Sequence, residues 1–230
     1  MGFNEVVKLS DGEMKCYASG SQDESTPAVI VIQEIFGVNA NIRATTDRLA
    51  AAGFRAVAPD LFWRLRPGVV LDPEQPDARA EAMQLAQRYG DDIDQGIADL
   101  AVLVAALRER HSKVGMVGYC LGGRVAFLGW LRLDVDAAVS YYGVGIAPLL
   151  EDMDAPEKPL LMHLGADDPL NPPQVQGAIA ERLAREAQAD VRVYEGAGHA
   201  FARLAASTYV ESAAKPADEA TYQFLQTHLG

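Results

Sequence analysis

Val117-Gly118-Tyr119-Cys120-Leu121-Gly122-Gly123 is a strand end that runs into a glycine-rich turn with a cysteine at its centre. The run before it, Lys113 to Val117, is short and apolar as a buried strand is, and the residues that follow read as a helix. Glycines at 118 and 122 are what such a tight strand-turn-helix junction needs, because bulky neighbours there would collide with the adjacent strand and helix. A thiol held at that turn sits at a helix N-terminus, a position that favours a thiolate. The amide of Leu121 is then free to face an oxyanion. The plainer reading is that Cys120 only fills space, since unpaired cysteine is among the most buried residue types.

Outward from this turn the chain alternates strands and helices. Asn4 to Leu9 and Met14 to Ser19 read as a hairpin about Ser10-Asp11-Gly12. Ala28 to Gln33 is a β-branched run without polar alternation, expected for a strand covered on both faces. A helix over 41–52 stops at Gly53, ahead of a strand at 54–59. Residues 60–76 form a long loop, FWRLRPG followed by LDPEQP, of a length that is often functional. Helices follow at 77–89 and 91–110. Beyond the Cys120 turn come strands at 137–141 and 159–164, a helix at 174–187, a strand at 190–194 and a last helix ending at His228. Pro216 leaves the start of that helix open. The pattern predicts one α/β domain over residues 1–230, with a mostly parallel central sheet and helices on both faces.

Two further strand ends carry titratable side chains. GADDPLNPP puts Asp167 and Asp168 directly after the 159–164 strand, and EGAGHAF puts His199 in a glycine-flanked loop after the 190–194 strand. The chain order Cys120, Asp168, His199 is the nucleophile-acid-base order of the α/β-hydrolase architecture. Asp168 is preferred to Asp167 on motif position, with Asp167 as a turn-former the alternative. His111, His163 and His228 lack this context and read as structural. No histidine pair has metal-ligand spacing, so a metal site is not expected. Glu34, in QEIFGVN, lies at the end of the 28–33 strand; it reads either as a solvated cap or, beside a thiol, as a proton acceptor.

The 230-residue chain carries a formal net charge of -12, which argues against nucleic acid or an anionic membrane surface as partner. Two cysteines, no apolar run of membrane length and no leader-like opening point to a cytoplasmic protein without a structural disulfide. A small-molecule substrate and a monomeric state are expected. A redox sensor using Cys120 is the competing class, and it leaves the order of Cys120, Asp168 and His199 unexplained.

With VGYCLGG, QEIFGVN, APDLFWR, YYGVG and GAGHAFAR, the chain resembles the dienelactone hydrolases over nearly its whole length. The resemblance implies a cofactor-free α/β-hydrolase fold and hydrolysis of a small anionic enol lactone, 4-carboxymethylenebut-2-en-4-olide, to maleylacetate. It implies Cys120 as nucleophile, His199 as base and Asp168 as the group that orients it. It further implies that Glu34 contacts the resting thiol and later takes its proton, and that the amides of Ile35 and Leu121 hold the oxyanion. Arg79 and Arg203 match the arginines that hold the substrate carboxylate, with Phe36, Tyr142 and Ala200 around the substrate. Ala200 stands where members of the family can have serine, and AMQLAQRYG lacks aromatic residues found in some. A broader esterase acting on other carboxylate-bearing esters is therefore the near alternative.

Overall fold

In the computed structural model, which describes residues 2–151 and 153–230, one sheet of eight strands runs through the molecule. Its strands are β1 (Glu5–Leu9), β2 (Gly12–Ser19), β3 (Ala28–Ile32), β4 (Arg55–Pro59), β5 (Val114–Tyr119), β6 (Ala137–Tyr141), β7 (Leu160–Gly165) and β8 (Ala189–Tyr194). They lie in the order β1-β2-β4-β3-β5-β6-β7-β8. The β1–β2 hairpin and the β2–β4 pair are antiparallel, and β4 through β8 are parallel. The helices are α1 (Ala40–Ala51), α2 (Pro76–Asp91), α3 (Ile93–Arg108), α4 (Leu121–Arg132), α5 (Pro173–Leu183) and α6 (Glu211–Leu229).

The sequence AVIVI of β3 shows why the fold is layered. Val29 and Val31 pack into one apolar cluster with Ile42 and Leu49 of α1 and Leu225 of α6. Ile30 and Ile32 point the other way, into a second cluster with Leu100 of α3, Val125 of α4 and Ile179 of α5. Side chains alternate across a strand, so a strand covered by helices on both faces has no polar position to spare. The fold is the α/β-hydrolase fold, and its parallel strands all end on the same side, where their connecting loops gather.

The elements expected from sequence are present with shifted ends. Gly12 and Glu13 join β2, so the first turn is tighter than expected. The proline at 76 opens α2, where its missing amide costs nothing, and α5 ends at Leu183 instead of 187. α6 takes Pro216 as its sixth residue, beyond the amides that need no intrahelical partner.

The long loop at 60–76 is a structural clamp. Asp60 is buried and accepts the amides of Phe62 at 3.1 Å and Gly68 at 2.6 Å. Trp63 Nε1 and Arg64 Nε both donate to Asp99 of α3, at 2.9 and 2.7 Å. The Leu71 amide donates to Phe36 O at 2.9 Å. The loop's length suggested function, but these anchors tie it to the fold and none of its residues lines the cavity beside Cys120.

Candidate active site

Cys120 joins β5 to α4 with φ 55° and ψ -113°, in the left-handed half of backbone space where a side chain is strained. The flanking glycines make that turn possible. A Cβ on Gly118 would lie 1.9 Å from Gly122 O, and one on Gly122 would lie 2.5 Å from the carbonyl oxygens of Ile32 and Gln33. The Cys120 amide is tied to Tyr141 O at 3.0 Å, and its carbonyl accepts from Gly123 and Arg124. The sharp turn therefore fixes the thiol at the sheet edge, 8% exposed.

His199 lies on the loop after β8, beside that sulfur. Its Nδ1 meets Asp168 Oδ2 at 2.9 Å, and its Nε2 is sealed from solvent without a hydrogen bond to the protein. Burial pulls the imidazole pKa down, but the Asp168 carboxylate and the neighbouring Cys120 thiol outweigh it and raise it from 6.5 to about 10. Asp168 is buried, which favours its neutral form; His199, the Leu170 amide and Asn171 together hold its pKa below the usual carboxylate value. Asn171 Nδ2 bridges Asp168 Oδ2 at 3.2 Å and Gly143 O at 3.1 Å. Asp167, the alternative, is exposed and does not meet His199.

The other histidines are placed as structural residues. His111 Nδ1 meets Thr26 O at 2.8 Å. His163 lies wholly buried between Tyr194 OH and Thr221 Oγ1, at 2.9 and 3.0 Å, and burial pushes its pKa down to about 3. Among the described residues no group of histidine, cysteine or carboxylate side chains is arranged to hold a metal ion.

Glu34 and Arg203 differ from expectation in their contacts. Glu34 is fully buried, and Arg203 clasps it through two bonds, Nε to Oε2 at 2.8 Å and Nη2 to Oε1 at 3.0 Å. Glu34 makes no hydrogen bond to the Cys120 thiol; a bidentate guanidinium satisfies a buried carboxylate better than a neutral thiol does. Arg203 lies over the Phe36 ring, 5.2 Å from its centre, and reaches the cavity wall already neutralised by Glu34.

The cavity in front of Cys120 is about 600 Å³ and is walled by Ile35, Phe36, Arg79, Met83, Leu121, Arg124, Leu170, His199 and Arg203, among others. Neither the Ile35 nor the Leu121 amide is taken by a backbone carbonyl, and both residues share the cavity wall with Cys120. Tyr142, at φ 39°, stands behind His199 with the two rings edge to face at 5.2 Å, and its buried hydroxyl has no partner. Ala200, at φ 61°, is buried behind the histidine and does not line the cavity, so neither residue touches the space as expected. Arg124 and Asn171 were missed by the sequence reading. The spacing of Arg124, four residues into the helix after the turn, was the available signal for it.

Residues 14–229 match the model of the dienelactone hydrolase family. The chain belongs to the dienelactone hydrolase family. It is 41% identical over 202 residues to a carboxymethylenebutenolidase of Pseudomonas putida, covering 86% of this chain and 85% of that one. A second relative, carboxymethylenebutenolidase 1 of Cupriavidus pinatubonensis, is 32% identical across 96% of this chain and 94% of its own. Among solved structures, a Klebsiella pneumoniae protein assigned to the dienelactone hydrolases superposes with a TM-score of 0.80 at 26% identity, over 96% of both chains. As a member of the dienelactone hydrolase family, the chain is a carboxylic ester hydrolase. No helix among the described residues is long and apolar enough to cross a membrane.

Proposed function

We propose that the chain, acting as one catalytic domain in the cytoplasm, hydrolyses a small anionic enol lactone of the dienelactone type to the open keto acid, with Cys120 as nucleophile. The observation that carries this reading is the buried Asp168–His199 pair, whose unpartnered Nε2 faces the thiol at a strained turn.

His199 Nε2 takes the thiol proton as sulfur attacks the ring carbonyl. The amides of Ile35 and Leu121 take up the oxyanion. Collapse breaks the ring C–O bond; the enolate leaves, receives the proton from His199 and tautomerises to a ketone. Neutral His199 then takes a proton from water, whose oxygen attacks the thioester. The C–S bond breaks, and sulfur leaves as thiolate. Asp168 holds the imidazole in the tautomer that keeps Nε2 toward sulfur in both steps. Glu34 replaces His199 as acceptor of the thiol proton, the role the family resemblance implies, only if a substrate carboxylate first draws Arg203 away from it.

A broader esterase is favoured by one observation. The α2 wall of the cavity offers Met83, Ala86 and Gln87 instead of aromatic rings, and Met83 is 61% exposed. Steady-state hydrolysis of cis- and trans-dienelactone, with a neutral aryl acetate as control, tests the proposal. Fast turnover of either lactone supports it, while turnover of the aryl ester alone moves the enzyme to another ester.

A further inference from the structure

Most arginines in the folded chain rest on a carboxylate. Arg48 pairs with Asp218, Arg55 with Glu5, Arg64 with Asp99 and Arg203 with Glu34. Arg79 and Arg124 form no ion pair among the described residues, and both line the cavity beside Cys120. Two unneutralised guanidinium groups in one cavity are notable in a chain with a net charge of -12.

Arg124 is the more constrained of the two. It stands one helical turn beyond Cys120 on α4, half-buried, and its Nε is sealed from solvent with no hydrogen bond to the protein. Its guanidinium lies along the loop after β6: a methyl group on Gly145 would stand 3.5 Å from Arg124 Nη1. Arg79 is exposed on α2, across the cavity. The carboxylate on the cavity wall, Asp91, accepts from Gln87 at 2.7 Å and forms no ion pair with Arg124. A guanidinium with its Nε withdrawn from water and no carboxylate partner, on the wall of a ligand-sized space, is arranged for an anion that arrives from outside.

We propose that Arg124 is a second anion-binding residue of the substrate cavity, and that the preferred substrate is a dianion: a lactone or ester with two carboxylates, or with a carboxylate and another oxyanion. One anionic group sits on the α2 side at Arg79, and the other sits on the α4 wall at Arg124. The proposal rests on the functional reading above in taking this cavity as the substrate site. Arg124 thereby selects substrates, and Cys120 and His199 do the chemistry.

The test is binding of simple probes that need no turnover. Glutarate, a dianion, and butyrate, a monoanion, are titrated calorimetrically at low salt into the wild-type chain, Arg124→Met and Arg124→Lys. Glutarate is expected to bind wild type at least about tenfold tighter than butyrate. Arg124→Met is expected to weaken glutarate by about tenfold to a hundredfold and butyrate by less than about threefold, with partial recovery in Arg124→Lys. Equal affinity of wild type for the two probes overturns the proposal, as does equal weakening of both by Arg124→Met. Failure of the hydrolase reading shows separately, as wild type that turns over neither dienelactone isomer while the calorimetry still reports on Arg124.

Discussion

Removing the Arg203 guanidinium leaves Glu34 as a lone charge at the end of β3, and the structure sets the size of the effect. Glu34 is 0% exposed, Arg203 is 4% exposed, and two hydrogen bonds of 2.8 and 3.0 Å join them. Breaking a buried pair from one side costs about 3–5 kcal/mol, because the remaining charge has lost its solvation and its partner. Arg203→Met keeps an aliphatic stem of similar length and removes the guanidinium, with its bonds to Glu34 and its contact with the Phe36 ring, so most of that loss is electrostatic. For a chain of this length each kcal/mol moves the melting point by about 2–4 °C, giving a fall of roughly 6–20 °C. Differential scanning calorimetry and urea unfolding of Arg203→Met, Glu34→Gln and the double variant measure it. The double variant, with neither charge, is expected to regain at least half of the loss. A single-variant cost below about 1 kcal/mol, or a double variant no more stable than Arg203→Met, refutes the claim that this pair is tightly coupled.

Asp168→Asn removes the acceptor that orients and charges His199; kcat is expected to fall about 10²–10⁴-fold, and the imidazole pKa to drop from about 10 toward 6.5, followed by NMR titration. The raised pKa of His199 also links stability to pH. Its contribution is fully present below 6.5, declines as pH rises and is gone above about 10, so thermal melts of wild type and His199→Ala should converge at the alkaline end. Asp168 acts in the opposite sense: its lowered pKa gives stability that is present above 3.8 and lost as pH falls through the folded-state value. Gly122→Ala would put a Cβ 2.5 Å from two β3-end carbonyl oxygens, so α4 must shift; about 1–3 kcal/mol of stability and nearly all turnover should be lost, read by melting and by lactone assay.

The turn at Cys120 was legible because its steric demands are local: the residues that must be small lie within four positions of one another. The positions of Asp168 and His199 were legible because parallel strands deliver their C-terminal ends to one edge, so a polar residue just past a strand is already near the site. The Glu34–Arg203 clasp was not legible. Its partners are 169 residues apart, and neither side chain signals in sequence that it will be buried against the other. The 60–76 loop misled for a related reason. Its length suggested function, and only the tertiary arrangement shows Trp63 and Arg64 anchored on Asp99 of α3. Ala200 and Tyr142 are buried at positive φ and are not part of the cavity wall, which their place in sequence near His199 and Val144 did not reveal.

Turnover of dienelactone by purified Cys120→Ala, with its melting point confirming an intact fold, tests the central claim most directly. The account predicts a rate indistinguishable from the uncatalysed one, because no other group at this turn can form the acyl-enzyme. Activity within about tenfold of wild type would contradict it and remove Cys120 from the chemistry.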